Sequence, residues 1–141
     1  MLKSIFVLTL IVSGWASRYD PGVFETVISN RQNDLTSYSL PRNIYSDRYI
    51  ALADCSRIGD YVLIDFGDNT EIALVADCAG VGDGGLSWMI RNNIAGELDP
   101  VTYFENRTPT GLKISIYEIG YVKNIPHEYS RSSRTHFYRY W

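Results

Sequence analysis

The sequence of 141 residues contains few of the side chains that metal and cofactor sites need. It has two cysteines and two histidines, and both histidines, His127 and His136, lie near its end, far from the cysteines. Two lone cysteines and two distant histidines do not have the ligand spacing of a zinc site. The sequence therefore predicts no metal site and no bound cofactor.

Long apolar runs are also missing, so the sequence predicts no stable membrane insertion, which needs about 20 apolar residues. One short apolar run occupies residues 5–12, after the positive charge of Lys3 and before the small residues Gly14 and Ala16. This order is typical of a secretory signal peptide. We therefore predict a signal peptide over residues 1–16, with cleavage after Ala16, and a secreted, extracellular protein.

Basic residues are scarce in the body of the chain. Residues 18–119 contain 8 basic and 15 acidic residues, whereas residues 120–141 contain 4 basic residues and one acidic residue. An acidic body argues against nucleic acid as a partner, because the phosphates would be repelled. The basic segment 121–141 is rich in aromatic residues, and we expect it to pack on the body or to contact a ligand or a partner protein.

Good helical segments are few. Residues 23–31 have apolar residues at helical spacing, and a second short helix follows Asp99-Pro100. Strand-like runs rich in β-branched and aromatic residues occupy 48–53, 61–66, 71–76 and 112–119. This pattern predicts an all-β domain over residues 17–120, a small barrel with one or two short helices.

The only two cysteines stand in two similar stretches, IALADCSRIGD from residue 50 and IALVADCAGVGD from residue 72. In an exported protein, a pair of cysteines predicts a disulfide, here between Cys55 and Cys78. Each stretch reads as a strand that ends in Asp-Cys. We expect the two strands to leave the same end of the barrel, so that the disulfide holds Asp54 near Asp77.

These stretches resemble a known superfamily. YIALADCSRIGDYVLI, and IALVADCAGVGDGG followed by IAGELDPVTYFE, resemble the two parts of a double-psi β-barrel. The resemblance extends from YDPG at residue 19 to LKISIYEI, which ends at residue 119. Within the superfamily, the chain is most similar to the rare-lipoprotein-A-like domain and to the three-aspartate domain that membrane-bound lytic transglycosylase A shares. Asp54, Asp77 and Asp99 match the three aspartates.

The resemblance implies a six-stranded double-psi β-barrel that binds or cleaves cell-wall polysaccharide of the peptidoglycan type. It implies lytic-transglycosylase-like acid/base chemistry with Asp77 as the first catalytic residue, and Asp99 is our second candidate. The histidine that partners the aspartate in some related catalytic barrels is not found in the barrel segment. A non-catalytic extracellular module that binds glycan or protein is therefore the alternative.

Further candidates for a ligand-binding site are Asp20, Asp54 and Asp83, and Tyr19 and Trp88 offer flat faces for stacking on sugar rings. Each has a simpler interpretation. An aspartate at a strand exit often accepts hydrogen bonds from its own turn, and an aspartate before a helix often caps it. Aromatic residues most often belong to the core.

Overall fold

The computed structural model of the protein describes residues 4–33, 38–80, 84–123 and 135–140. These residues form seven strands, three α-helices and one short 3₁₀ helix. The strands are β1 Ser4–Arg18, β2 Tyr49–Leu52, β3 Tyr61–Asp65, β4 Thr70–Cys78, β5 Ile94–Leu98, β6 Lys113–Lys123 and β7 Thr135–Tyr140. The α-helices are α1 Val23–Asn33, α2 Gly85–Arg91 and α3 Pro100–Asn106, and the 3₁₀ helix is Cys55–Arg57.

Six strands close into a mixed barrel, as the sequence predicted. The order around the ring is β1-β5-β2-β4-β3-β6, and β6 pairs with β1 again. The pairs β1–β5 and β2–β4 are parallel, and the other four are antiparallel. If the labels β1 and β4, β2 and β5, and β3 and β6 are exchanged, the barrel has the same six strand pairs, and each pair keeps its parallel or antiparallel direction. The barrel therefore has the strand pairing of two equivalent halves.

Alternating side chains from the strands fill the barrel. In β6, Ile114 and Ile116 are buried inside, as is the preceding Leu112, so the strand predicted over residues 112–119 has alternating buried residues. Strand β4 is buried on both faces, because Ala73 and Val75 point inward while Leu74 and Ala76 contact a second cluster outside the barrel. This double burial explains its uninterrupted apolar run.

The second cluster is covered by α1, which the sequence predicted over residues 23–31. Phe24 and Ile28, one helical turn apart, are the buried residues of α1, whereas Val23 is 40% exposed. The described residues also form three α-helices rather than the one or two predicted, because the glycine-rich segment before α2 resembles a loop although the buried Met89 holds a helix there.

Strand β1 lies largely in the segment predicted to be a signal peptide. It pairs with β6 along almost its whole length and with β5 near its end. Ala16 is buried in the barrel core, and a Cβ atom on Gly14 would lie 2.5 Å from the backbone oxygen of Asn93. In the structure, the sheet therefore includes residues from Ser4 onward, and a domain that starts at residue 17 stays a prediction. Cleavage after Ala16 stays a prediction, and it would leave only Ser17 and Arg18 of this strand.

The predicted C-terminal segment 121–141 begins inside β6, which continues to Lys123. Its strand β7 pairs with the first half of β1, outside the six-stranded ring, so this part of the segment packs on the barrel. His127 lies outside the described residues. None of the helices in the described parts of the chain is long and apolar enough to span a membrane.

Candidate functional site

The two Asp-Cys stretches meet at one end of the barrel. Strands β2 and β4 are parallel, so both end at the same edge, where Leu52 pairs with Cys78. The disulfide between Cys55 and Cys78 joins the chain just beyond β2 to the end of β4, with the Cα atoms 4.9 Å apart. The predicted disulfide is confirmed. Asp54 and Asp77 each precede one of the bonded cysteines.

Asp77 is held by two side chains. Its Oδ1 accepts a hydrogen bond from Nη2 of Arg31 at 2.6 Å, and its Oδ2 accepts one from the Tyr19 hydroxyl at 2.7 Å. The Asp77 and Arg31 side chains are only 16% and 22% exposed. A guanidinium and a phenol that donate to the same carboxylate both stabilise its charged form. The structure therefore brings Tyr19 and Asp77 together, as two of the predicted site residues.

Tyr19 is fixed between the helix and the barrel. Its ring stacks on Phe24 of α1, with the ring centroids 4.3 Å apart. Burial, followed by the hydrogen bond to Asp77 and the negative charge of Asp77, raises the pKa of Tyr19 far above its usual range. Tyr19 is therefore a permanent hydrogen-bond donor to Asp77 and not an acid in the neutral pH range.

Glu97 is a site residue that the sequence did not reveal. In the sheet, Asp77 pairs with Ala51, Ala51 pairs with Glu97, and Glu97 pairs with Ser17. Residues opposite each other on neighbouring strands face the same side. Asp77 and Glu97 therefore flank Ala51 on one face, with their Cα atoms two strand spacings, or about 10 Å, apart. No local sequence pattern marks this juxtaposition, because it depends on the register of three strands.

The environment of Glu97 differs from that of Asp77. Burial raises the pKa of Glu97, and the nearby charge of Asp77 raises it further. The nearby Ser17 hydroxyl lowers this pKa in part, although it forms no hydrogen bond with the Glu97 carboxyl group in the structure. Burial thus shifts Glu97 towards its neutral form, and Asp77 accepts hydrogen bonds from a guanidinium and a phenol.

Two buried polar atoms around these carboxyl groups have no hydrogen-bond partner among the described residues. They are Oγ of Ser17, next to Glu97, and Nε of Arg31, whose Nη2 contacts Asp77. Buried polar groups are nearly always paired, so water molecules or the polar groups of a ligand would complete the hydrogen bonds of these two atoms. Hydroxyl groups are well suited, because each both donates and accepts a hydrogen bond.

Asp99 has a different role in the described structure. Its Oδ1 accepts a hydrogen bond from the Thr102 amide at 2.9 Å, and its Oδ2 accepts from the Thr102 hydroxyl and the Tyr49 amide. Asp99 is buried and is the N-cap of α3. These contacts agree with the capping interpretation, and they tie α3 to the start of β2. A catalytic role for Asp99 stays a prediction.

We expect replacement of Asp99 by alanine to lower the free energy of unfolding by about 2–3 kcal/mol. The variant loses the helix cap and leaves the partly buried Tyr49 amide without its acceptor. Denaturant unfolding of the variant and the parent measures the difference. Asp54→Ala is the control, because Asp54 accepts its hydrogen bonds within an exposed turn. Equal losses for both variants would contradict the prediction.

Within the described residues, Asp54 and Asp20 have partners other than Asp77. Asp54 accepts hydrogen bonds from the amide and hydroxyl of Ser56, and these bonds lower its pKa. Asp20 is exposed, and its Oδ1 lies 3.7 Å from Nη1 of Arg18. Trp88 is partly exposed on α2, and Asp83 lies outside the described residues. Within the described part of the chain, no group of three or more His, Cys, Asp or Glu residues is placed to hold a metal ion.

We expect Glu97→Gln to raise the free energy of unfolding at pH 7. The folded state raises the pKa of Glu97 above its ordinary value of 4.5, so Glu97 stabilises the fold below that pH. This contribution is lost as the pH rises through the folded-state pKa. Glutamine does not ionise, so the variant avoids this loss and has the higher free energy of unfolding at pH 7. Below pH 4, where the parent has not lost the contribution, the difference between the two proteins is expected to vanish.

Urea unfolding at both pH values measures the effect, with Glu25→Gln on the exposed face of α1 as the control. Equal gains at the two pH values would show that packing, rather than ionisation, is responsible.

Comparison of the chain with protein-family models, with curated proteins and with solved structures found no match.

Proposed function

We propose that the protein is an extracellular double-psi β-barrel that binds or cleaves cell-wall polysaccharide of the peptidoglycan type. The topology is supported by the pairing pattern, in which β1–β3 and β4–β6 are interchangeable and each half contributes one strand to each parallel pair. The sequence resemblance over residues 19–119 supports the same topology. The disulfide agrees with an oxidising compartment, where wall polysaccharide is found.

The observation that carries the proposal is the pair formed by Asp77 and Glu97. Cleavage of a glycosidic bond needs a proton donor at the leaving oxygen, and a second carboxylate stabilises the positive charge that develops on the sugar. Burial raises the pKa of Glu97, so the proposal assigns it as the donor. Asp77, held by Arg31 and Tyr19, is assigned as the second carboxylate. This assignment differs from the sequence-based one, in which Asp77 was the acid.

The second candidate is a non-catalytic glycan-binding module. It is favoured by the ion pair between Asp77 and Arg31, because a carboxylate with both oxygens engaged is less accessible to a reacting sugar. In that function, the hydroxyl of Ser17, the carboxyl of Glu97 and the guanidinium of Arg31 bind sugar hydroxyls, and no bond is broken.

A zymogram containing peptidoglycan, with a parallel gel containing cellulose, tests the proposal. The parent protein is expected to clear peptidoglycan, and Glu97→Gln and Asp77→Asn are each expected to reduce clearing at least about 100-fold. Asp68→Asn is the matched control, because Asp68 is exposed in the hairpin between β3 and β4. Thermal unfolding of each variant shows that the fold is retained.

Clearing that persists in Glu97→Gln would overturn the assignment of the proton donor. If the parent clears nothing but sediments with insoluble peptidoglycan, the binding module is the correct form of the proposal. A parent protein that neither clears nor sediments with any wall polysaccharide would overturn both forms.

A further inference from the structure

Two exposed aromatic rings on the barrel carry basic side chains. The Cζ atoms of Arg18 and Arg107 lie 4.9 and 4.8 Å from the ring centroid of Phe104, and Nζ of Lys113 lies 4.8 Å from the ring of Trp15. The two aromatic residues are 46% and 36% exposed. These are distances at which a cation is attracted by the face of the ring. We call these five residues the cationic-aromatic surface.

The two stacks belong to one surface. Trp15 and Arg18 both lie on β1, and Trp15 pairs with Lys113 of β6. The chain from Arg107 leads into a tight turn in which Thr108 pairs with Gly111. Gly111 lies against the Trp15 ring, where an added Cβ would be 3.3 Å from Cζ3. The turn therefore joins the Phe104 stack to the Trp15 stack.

The positive charge of this surface is available to a ligand. In the described part of the chain, neither Arg107 nor Lys113 forms an ion pair, and Arg18 has only a long contact of 3.7 Å with the exposed Asp20. Stacking on a ring orders a guanidinium but leaves its N–H edge free to donate to an anion. The surface therefore presents three cations on a body that is otherwise acidic.

The cationic-aromatic surface begins beside the candidate site. Arg18 directly follows Ser17, which pairs with Glu97, and the Tyr19 amide donates to the Leu98 carbonyl oxygen. Successive side chains of a strand point to opposite faces, so Arg18 faces away from Ser17, whereas Trp15, two residues before Ser17, lies on the same face of β1. The Trp15 stack is therefore the part of the surface next to the carboxyl pair. A chain of sugars is long enough to contact both, because each residue of a strand advances only about 3.3 Å.

We propose that this surface binds the anionic groups of the polysaccharide bound at Asp77 and Glu97, so that the substrate class is an acidic glycan carrying carboxylate or phosphate groups. The inference rests on the proposed function. Guanidinium groups bind carboxylate and phosphate through paired hydrogen bonds, and an ammonium group adds a compact charge. A glycan is favoured over nucleic acid because the acidic body of the protein repels a polyanion of dense charge.

Affinity electrophoresis through gels containing polygalacturonate, neutral dextran or single-stranded DNA tests the inference. The parent is expected to be retarded by polygalacturonate and not by dextran. The double variant Arg107→Gln/Lys113→Gln is expected to bind polygalacturonate at least about 10-fold more weakly, the loss that corresponds to 1.4 kcal/mol. The control is Arg42→Gln/Arg91→Gln, which removes the same charge at two exposed positions away from these rings.

Equal weakening in the control pair would overturn the inference, because general charge would then explain the binding. Equal retardation by single-stranded DNA would overturn the choice of a glycan, and no retardation by polygalacturonate would overturn the surface altogether. The result is independent of catalysis, since retardation requires no bond cleavage, and Asp68→Asn is expected to be retarded as the parent is. A protein that clears peptidoglycan without binding polygalacturonate would keep the proposed function and lose this inference.

Discussion

Deletion of residues 1–16 is expected to abolish cooperative folding. The deletion removes all of β1 except Ser17 and Arg18, and β1 is the strand that closes the barrel between β5 and β6. It also removes Leu8 and Ala16, which are buried, and Ile11 and Val12, which pack against the core.

The stabilising free energy that this deletion removes exceeds the total stability expected of a domain of this size. Burial of each large apolar side chain contributes about 1.5–3 kcal/mol, whereas the whole fold is typically stable by about 5–15 kcal/mol. Opening of the ring also leaves the backbone groups of β5 and β6 without partners at two sheet edges. We therefore expect the truncated chain to show no cooperative transition in thermal or urea unfolding followed by circular dichroism.

A shorter truncation is the control. Removal of residues 1–3, which precede β1, is expected to leave the unfolding transition nearly unchanged. If the chain that begins at residue 17 unfolds cooperatively and with similar stability, the role of β1 in the barrel is overturned. The same result would support the predicted cleavage after Ala16.

Removal of the disulfide is expected to lower the free energy of unfolding by about 3 kcal/mol. Cys55 and Cys78 are 23 residues apart, and a bond that closes a loop of this length restricts the unfolded chain by about that amount. The double variant Cys55→Ser/Cys78→Ser is therefore expected to unfold at a temperature roughly 6–12 °C below that of the parent.

Removal of the disulfide is expected to affect the candidate site around Asp77 as well as the stability of the fold. Cys78 directly follows Asp77, and Cys55 begins the 3₁₀ helix that leaves the end of β2. Without the bond, the end of β4 is held by sheet pairing and by the Asp77 contacts alone. Thermal unfolding of the double variant, and of the parent with and without a reducing agent, measures the effect. The reduced parent should match the variant, and a variant as stable as the oxidised parent would contradict the prediction.

Much of the barrel could be predicted because its signals are local. The alternation in residues 112–116 is the alternation of a strand whose two faces meet different surroundings, and β6 has it. Asp99-Pro100 predicted the start of α3, since a capping side chain followed by proline acts within one turn. The repeated Asp-Cys stretches predicted two strands with a common end, and parallel β2 and β4 confirm this.

The remaining features of the fold depend on contacts with residues far away in the sequence. The apolar run at residues 5–12 pairs with β6 and β7 in the structure, and its local pattern, which is also that of a signal peptide, does not predict this pairing. Helix α2 was missed because the glycines before it resemble a loop, whereas the burial of Met89 stabilises a helix there.

By itself, the sequence pattern determined a small β-barrel and the disulfide, and the family resemblance added the number of strands and Asp77 as a candidate site residue. Only the tertiary structure decided what surrounds that carboxylate. Arg31 reaches Asp77 because α1 packs on the outside of β4, and Glu97 faces the same side because of the register across β4, β2 and β5. Charge and burial act through space, so a site made of three distant segments is defined only when the strands pair.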